Sequence, residues 1–307
     1  MKKETMNYYE LEPEDNHFKV IFVDLTHRCN MDCFNCYLPN RVIPDMDESM
    51  LYDVLTRLPE RAYIRLIGAE PTLRKDLTSI IRKVLDHGHK PSVTTNGLKL
   101  ASLKYCQELR DAGLRMILIS MNGADEQDIY EKIDNHSHAH KMKMEALENC
   151  FKIPGFIINT GTIIAKGVNE HTLRRQADIV ADLADKYKPK VKPVLRVKNI
   201  GDLGRYMQGS TMAFEELVNV ANEQLGISKE QITSQKIESG TNKITLNNYG
   251  ESYLFEYRSV YIRLINWNEE DEFNDGGING SKNRGRLTED GKIAPCWEHI
   301  VKNEYGY

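Results

Sequence analysis

Three of the six cysteines fall within eight residues. In "THRCNMDCFNCYLP", Thr26 to Pro39, the residues Cys29, Cys33 and Cys36 follow the spacing C-x3-C-x2-C. Six cysteines in 307 residues are too few for a disulfide scaffold, and in a reducing compartment a tight cluster of thiols binds metal. A structural zinc wants a closed set of four ligands, and iron–sulfur electron carriers usually bring four cysteines as well. No fourth cysteine stands nearby. Three thiolates on a cubane iron–sulfur cluster leave one iron without a protein ligand, which makes that iron a place for chemistry as well as for electron storage. The alternative is a zinc knuckle completed by His27 or by a distant residue.

Other residues invite the same question. "HSHAH" (His136, His138, His140) suggests a second metal, but it falls in a loop or at a helix start, where solvent-exposed histidines are the plainer expectation. Cys106 and Cys150 lie on helical patterns among apolar neighbours and are expected to be buried and inert. The basic run "KYKPKVKPVLRVK", Lys186 to Lys198, reads as solvated lysines at the end of a strand.

The elements that must position these groups alternate regularly. Strands are predicted near Lys19–Leu25, Ala62–Ile67, Lys90–Thr95, Arg115–Ser120, Phe156–Ala165 and Val191–Val197. Helical patterns fall between them near Glu48–Leu58, Arg74–Asp86, Leu98–Ala112, Asp125–Ile133 with His140–Phe151, and Glu170–Lys186. The second places Leu73, Leu77, Ile80, Ile81, Val84 and Leu85 on one stripe and closes on Gly88. Six strand–helix repeats imply a parallel sheet, curled by right-handed crossovers into a partial or full β/α barrel with its chemistry at the carboxyl ends of the strands. The fold class is therefore α/β, a partial (β/α)6 barrel. Three segments are expected: an N-terminal extension over 1–17, the barrel over 18–205, and a small C-terminal α+β cap over 206–307. The last includes the helix "MAFEELVNVANEQLG", a β-rich stretch from Lys236 to Trp267, and a hairpin turning at Glu289-Asp290-Gly291.

With these motifs in place, the chain resembles the radical S-adenosylmethionine (radical SAM) enzymes, from about Val20 to Arg205. Beside the cysteine loop, "RLIGAEPTLRKDL" (Arg65–Leu77) is similar to the family's GGEP motif, with Ala69 after Gly68 and before Glu70. "TTNGLKL" (Thr94–Leu100) resembles the family's third-strand segment, which brings in Thr95 and Asn96. "ISMNGADEQDIYEKI" resembles the fourth-strand element that usually reads V-S-x-D, with Ser120 and Asn122 in those places, and "INTGTIIAKGVNEHTL" (Ile158–Leu173) resembles the fifth. The resemblance implies one [4Fe-4S] cluster on Cys29, Cys33 and Cys36, whose open iron is chelated by the methionyl end of SAM. Reductive cleavage then yields a 5′-deoxyadenosyl radical that takes a hydrogen atom from substrate. It further implies SAM contacts from Gly68, Ala69, Glu70, Thr95, Asn96, Ser120 and Asn122, and an adenine neighbour that is either Phe34 or Asn35. A reductant such as flavodoxin or ferredoxin is the implied electron donor.

Within the family, "RLTEDGKIAPC" resembles the hairpin of the molybdenum-cofactor GTP cyclases and of the SPASM and twitch branch, where the cysteine matching Cys296 helps hold an auxiliary cluster. Its partner cysteines are absent, and Lys282 stands where one would be. No auxiliary cluster is expected, and Cys296 is a vestige or a substrate-facing thiol able to return a hydrogen atom. Arg65 matches an arginine by which the cyclases hold a triphosphate, and "VLRVKNIGDLGRY" resembles the sixth-strand segment of SPASM-type enzymes, which implies that Arg196 holds a carboxylate. Two further cationic positions of the cyclases are Phe22 and Ile157 here, so GTP is not the expected substrate. A small molecule or a peptide is. No vitamin-binding module is evident ahead of the barrel, so cobalamin-dependent methylation is not the expectation. The different reading is a non-catalytic iron–sulfur or zinc protein, a sensor or electron carrier on a degenerate barrel.

Composition sets the remaining expectations. A net charge of −4 gives no general attraction to nucleic acid, no apolar run approaches a membrane span, and the first residues lack a secretory h-region. The expected location is the cytoplasm.

Overall fold

The computed structural model describes residues 8–36, 43–199, 209–210, 212–234, 236–237, 252–266 and 284–296. Six strands are parallel in sequence order: β1 (Val20–Asp24), β2 (Tyr63–Ile67), β3 (Lys90–Thr95), β4 (Met116–Ser120), β5 (Ile157–Ile164) and β6 (Val194–Asn199). Between them run α1 (Glu48–Arg57), α2 (Leu77–Asp86), α3 (Leu103–Asp111), α4 (Gln127–Asp134) with α5 (Ala139–Lys152), and α6 (Leu173–Tyr187).

The period of each element explains its placement. In α2 the buried residues Leu77, Ile80, Ile81 and Val84 recur at helical spacing and face the sheet, while Leu85 at the stripe's margin remains exposed. On the strands, alternation sends Ile21, Val23, Ile64, Leu66, Leu195 and Val197 outward into the core shared with the helices. The opposite face carries a separate cluster of Val20, Phe22, Ile67 and Cys296, with Tyr63 against it. That second face is the inside of the barrel.

Several bounds shift by one to three residues from the predicted ones, and two differences have a clear local reason. The pattern over Leu98–Ala112 is interrupted at Ser102: Leu98–Ala101 forms a 3-10 turn, and the extended Ser102 accepts a hydrogen bond from Tyr105 N at 3.3 Å to start α3. Strand β6 begins at Val194 because Pro193, just before it, has no N–H to give to a ladder.

The described part of the C-terminal segment is built into this sheet. After α7 (Phe214–Leu225) and α8 (Lys229–Thr233) come β7 (Lys236–Ile237), β8 (Ser252–Tyr257), β9 (Val260–Ile265), β10 (Arg284–Leu287) and β11 (Ile293–Pro295). The strand order is β11-β10-β1-β2-β3-β4-β5-β6-β9-β8-β7. Both β9 beside β6 and β10 beside β1 lie parallel to the barrel strands, and antiparallel hairpins end the sheet on each side. The sheet stays open, so this is a partial barrel. The turn at Glu289-Asp290-Gly291 is present as expected, with Gly291 at φ +83°. Residues 200–208, 238–251 and 267–283, which include Lys282 and much of the expected β-rich and loose stretch, lie outside the described residues. Among the described residues no helix is long and apolar enough to cross a membrane.

Candidate active site

The cysteine loop and the motif segments after β2, β3, β4 and β5 emerge at one end of the sheet, as carboxyl ends of parallel strands must, while β11 runs back antiparallel and sets Cys296 near the start of β1. The cysteine loop leaves β1 and is pinned at its base. Thr26, fully buried, donates to Asp45 at 2.5 Å, and Arg28 grips the same carboxylate through Nε at 3.1 Å and Nη2 at 2.5 Å. Arg74 reaches back to the carbonyls of Leu25 at 3.1 Å and Met46 at 2.8 Å while Asp76 neutralises it. Within the loop, Met31 N donates to the Cys29 sulfur at 3.4 Å, and the Asn96 amide lies 3.9 Å from that sulfur. Such donors stabilise a thiolate. Burial pushes the free Cys33 thiol up to about 12, with Asp134 adding to the rise and Lys143 opposing it.

The segment after β2 lies across the start of that loop. Ala69 N donates to Thr26 O at 2.8 Å and Glu70 N to Arg28 O at 3.0 Å. Gly68 makes the crossing possible: its φ is +134°, and a Cβ there would sit 2.3 Å from the Thr26 carbonyl oxygen. Glu70 is fully buried, and its carboxylate gathers four donors. Oε1 accepts from Thr72 N (3.0 Å), Thr72 Oγ1 (2.5 Å) and Thr95 Oγ1 (2.7 Å), and Oε2 from Asn96 N (2.7 Å). Burial raises the Glu70 pKa while these bonds pull against it. The side chain thus fastens the ends of β2 and β3 together, and Asn96 continues outward to Asn30 in the cysteine loop at 2.8 Å. Replacing Thr95 with Val removes one of the four donors and strands Gly97 N, which donates to Thr95 Oγ1 at 3.0 Å. A stability loss of about 1–2 kcal/mol is expected, read as a lower midpoint in chemical denaturation.

Ser120 ends β4, half-buried. Asn122 is buried, with its amide donating to Asp134 Oδ1 at 2.9 Å and its carbonyl accepting from Asn169 at 2.8 Å. Asn169 also caps the end of β5, taking a bond from Ala165 N at 2.7 Å and giving one to Ile163 O at 2.9 Å. Against that end lies Phe34, packed on Ala165 beside Ile163 and Val168, and its N–H donates to Ile133 O at 2.8 Å. Of the two candidates for the adenine side, Phe34 is thus the one set against the rim of β5, and Asn35 is half-buried beside it.

The inner face of the barrel is rich in arginine. Arg65 lies over the Phe22 ring at 5.3 Å and shares a register with it. Arg196 pairs in register with Arg263, and Arg286 with Phe22. All four arginines, and Arg284, are buried. Arg286 holds Asp24 with two bonds, 2.5 and 2.7 Å, and Arg263 holds Ser252 Oγ at 3.3 and 3.1 Å. Cys296 is buried among Val20, Phe22 and Ile67, its thiol pKa raised by burial against the pull of Arg286 and Arg284.

Arg263, Arg284 and Arg286 share this inner face, and the motifs do not single them out. Their signal is an arginine alternating with apolar or small residues in "VYIRLI" and "RGRL", the pattern of an inner-face position.

The histidines separate. His140 stacks on Tyr130, centroids 5.9 Å apart, whereas His136 Nδ1 meets His138 N at 3.2 Å and His138 is exposed. Cys106 and Cys150 are buried as expected. Among the described residues, no three His, Cys, Asp or Glu side chains, the loop cysteines included, stand close enough to share a single ion.

Known proteins share both the motifs and the fold. Residues 23–178, just over half of the chain, match the family described as the Radical SAM superfamily. The chain is 29% identical over 159 residues to the 7,8-dihydro-6-hydroxymethylpterin dimethyltransferase of Methanocaldococcus jannaschii, covering 48% of this chain and 31% of that one. It is 31% identical over 163 residues to the GTP 3',8-cyclase of Staphylococcus saprophyticus, covering 48% and 46%. These matches span less than half of either relative's length. The crystal structure of Streptococcus suis SuiB bound to precursor peptide SuiA has a TM-score of 0.64 at 14% identity, over 93% of this chain and 61% of that one. At that identity the likeness concerns the fold.

Proposed function

The chain belongs to the Radical SAM superfamily, whose members use a [4Fe-4S] cluster and SAM, and we propose that Cys29, Cys33 and Cys36 hold that cluster in an enzyme acting on an anionic substrate. The donor set fits: three thiols on one loop, with N–H groups near the Cys29 sulfur and the Gly68 crossing bringing bare backbone beside the loop. When bound, cluster and SAM together supply a one-electron C–S cleavage and an oxidant able to take a hydrogen atom from carbon.

The chain's own residues bind and orient. Gly68 and Ala69 offer backbone to the SAM amino group, with Glu70 fixing that segment from behind. Thr95, Asn96, Ser120 and Asn122 line the neighbouring strand ends, and Phe34, with Asn35 next to it, covers the adenine side. Inside the barrel, Arg65 and Arg196 hold the anionic group of a small-molecule or peptide substrate, and Cys296 stands as a thiol that can return a hydrogen atom. The observation that carries this reading is the cysteine loop joined by backbone bonds to the Gly68–Glu70 segment. The relatives are named for a pterin and for GTP, and the SuiB structure holds a peptide. Phe22 and Ile157, in place of cations, support a substrate other than GTP. The electron comes from a flavodoxin-like or ferredoxin-like donor.

The test is anaerobic reconstitution followed by dithionite and SAM, with GTP among the candidate substrates. Formation of 5′-deoxyadenosine and methionine supports the enzyme. A fully loaded cluster that leaves SAM intact favours the sensor, and conversion of GTP overturns its exclusion. Arg196→Met is expected to retain substrate-free SAM cleavage while weakening the binding of anionic ligands by ~2 kcal/mol or more, about 30-fold, in calorimetric titration.

A further inference from the structure

The ion pair behind the cysteine loop stands where it is electrostatically costly. Asp134 and Lys143 are each 1% exposed, and a buried pair commonly loses more hydration than its attraction restores, so apolar residues of equal volume would hold α4 to α5 as well. Asp134 also closes α4, where the helix carbonyls gather negative potential and an acid has the unfavourable sign. Helix stability does not account for it.

The end of α4, where Asp134 stands, is bonded through its backbone to the loop that carries the cysteines. Asn122 donates to Asp134 Oδ1 at 2.9 Å, and Lys143 donates to Oδ2 while lying 5.4 Å from the centre of the Tyr130 ring. One residue before Asp134, the Ile133 carbonyl accepts from Phe34 N at 2.8 Å, next to Cys33.

We propose that the buried Asp134–Lys143 pair sets the reduction potential of the cluster at Cys29, Cys33 and Cys36, with Asn122 holding the carboxylate in its orientation. The inference rests on the cluster reading above. Reduction brings one electron from the external donor and adds one negative charge to the cluster. A nearby ammonium favours that gain and a nearby carboxylate opposes it, and charges shut away from water act with little screening. Asp134 and Lys143 are thus positioning residues that act through the cluster.

The experiment is a redox titration of the reconstituted holoenzyme with dithionite, monitored by electron paramagnetic resonance. Asp134→Asn should raise the midpoint potential and Lys143→Met should lower it. Each shift should correspond to about tenfold in the one-electron equilibrium, ~59 mV. The double variant should fall between the two single variants, and Lys143→Arg should keep the unsubstituted value. Asp134→Asn is nearly isosteric and decides alone if Lys143→Met fails to fold. Intact clusters at an unchanged potential in both single variants would overturn the proposal, as would shifts of the same sign in both. Failure of the unsubstituted chain to assemble a cluster would overturn the cluster reading itself.

Discussion

Cys33→Ala is expected to leave a folded chain that binds little iron and whose SAM cleavage falls to background. Cys33 is only partly buried and lies on a loop whose anchors are Thr26, Arg28 and Arg74, so its loss should cost stability no more than ~1 kcal/mol. Its loss to the cluster is far larger, because two thiolates cannot retain a cubane that three hold with one iron open. The controls come from the same chain. Cys106→Ala and Cys150→Ala open small cavities in the core and should lower stability by about 1–2 kcal/mol while leaving iron content unchanged. Cys296→Ala should also keep its iron, at about four atoms per chain. Iron near eight in the unsubstituted protein would show an auxiliary cluster after all. Iron and sulfide assay with thermal denaturation separates the two kinds of effect.

Gly68→Val is expected to be the most damaging single change outside the cysteines. A Cβ at that position would lie 2.3 Å from Thr26 O and 3.0 Å from Thr26 N, both backbone atoms, at a φ of +134° that side chains rarely adopt. Neither atom can step aside without displacing the start of the cysteine loop. Strain and overpacking together should remove at least ~3 kcal/mol, and whatever folds should bind SAM poorly, since the backbone offered to it has moved. Gly88→Ala is the comparison. Gly88 also has a positive φ, +82°, but nothing lies within 4 Å of its Cβ position, so only the conformational strain of ~1–2 kcal/mol applies. Denaturation midpoints and SAM titration calorimetry on both variants check the difference.

Cys33 and Gly68 are legible in the amino-acid sequence because the patterns that mark them are local. The cysteine spacing, the Gly68–Glu70 segment and the Thr95–Asn96 turn are patterns of a few residues each, and all three stand at the same end of the sheet. The six-strand alternation is equally local. What is not legible depends on distant pairings. Nothing near Arg284 or Arg286 says that β10 lies parallel to β1, at the other end of the chain, and without that pairing the two arginines read as hairpin residues. Arg263 needs the same kind of information about β9 and β6. Asp134 and Lys143 are separated by a turn between two amphipathic helices, where a charge normally reads as solvated, and only packing of α4 on α5 brings them together. Asn122 reads from its motif as a SAM contact, and its amide is bonded to Asp134. Its position is legible, its partner is not.

The most direct measurement is the electron paramagnetic resonance spectrum of the reduced, oxygen-protected protein before and after SAM is added. A cluster with one iron free of side-chain ligands predicts about four irons per chain and a spectrum that changes when SAM occupies the open iron. A spectrum indifferent to SAM, or a single colourless ion with every coordination position filled by side chains, would contradict it.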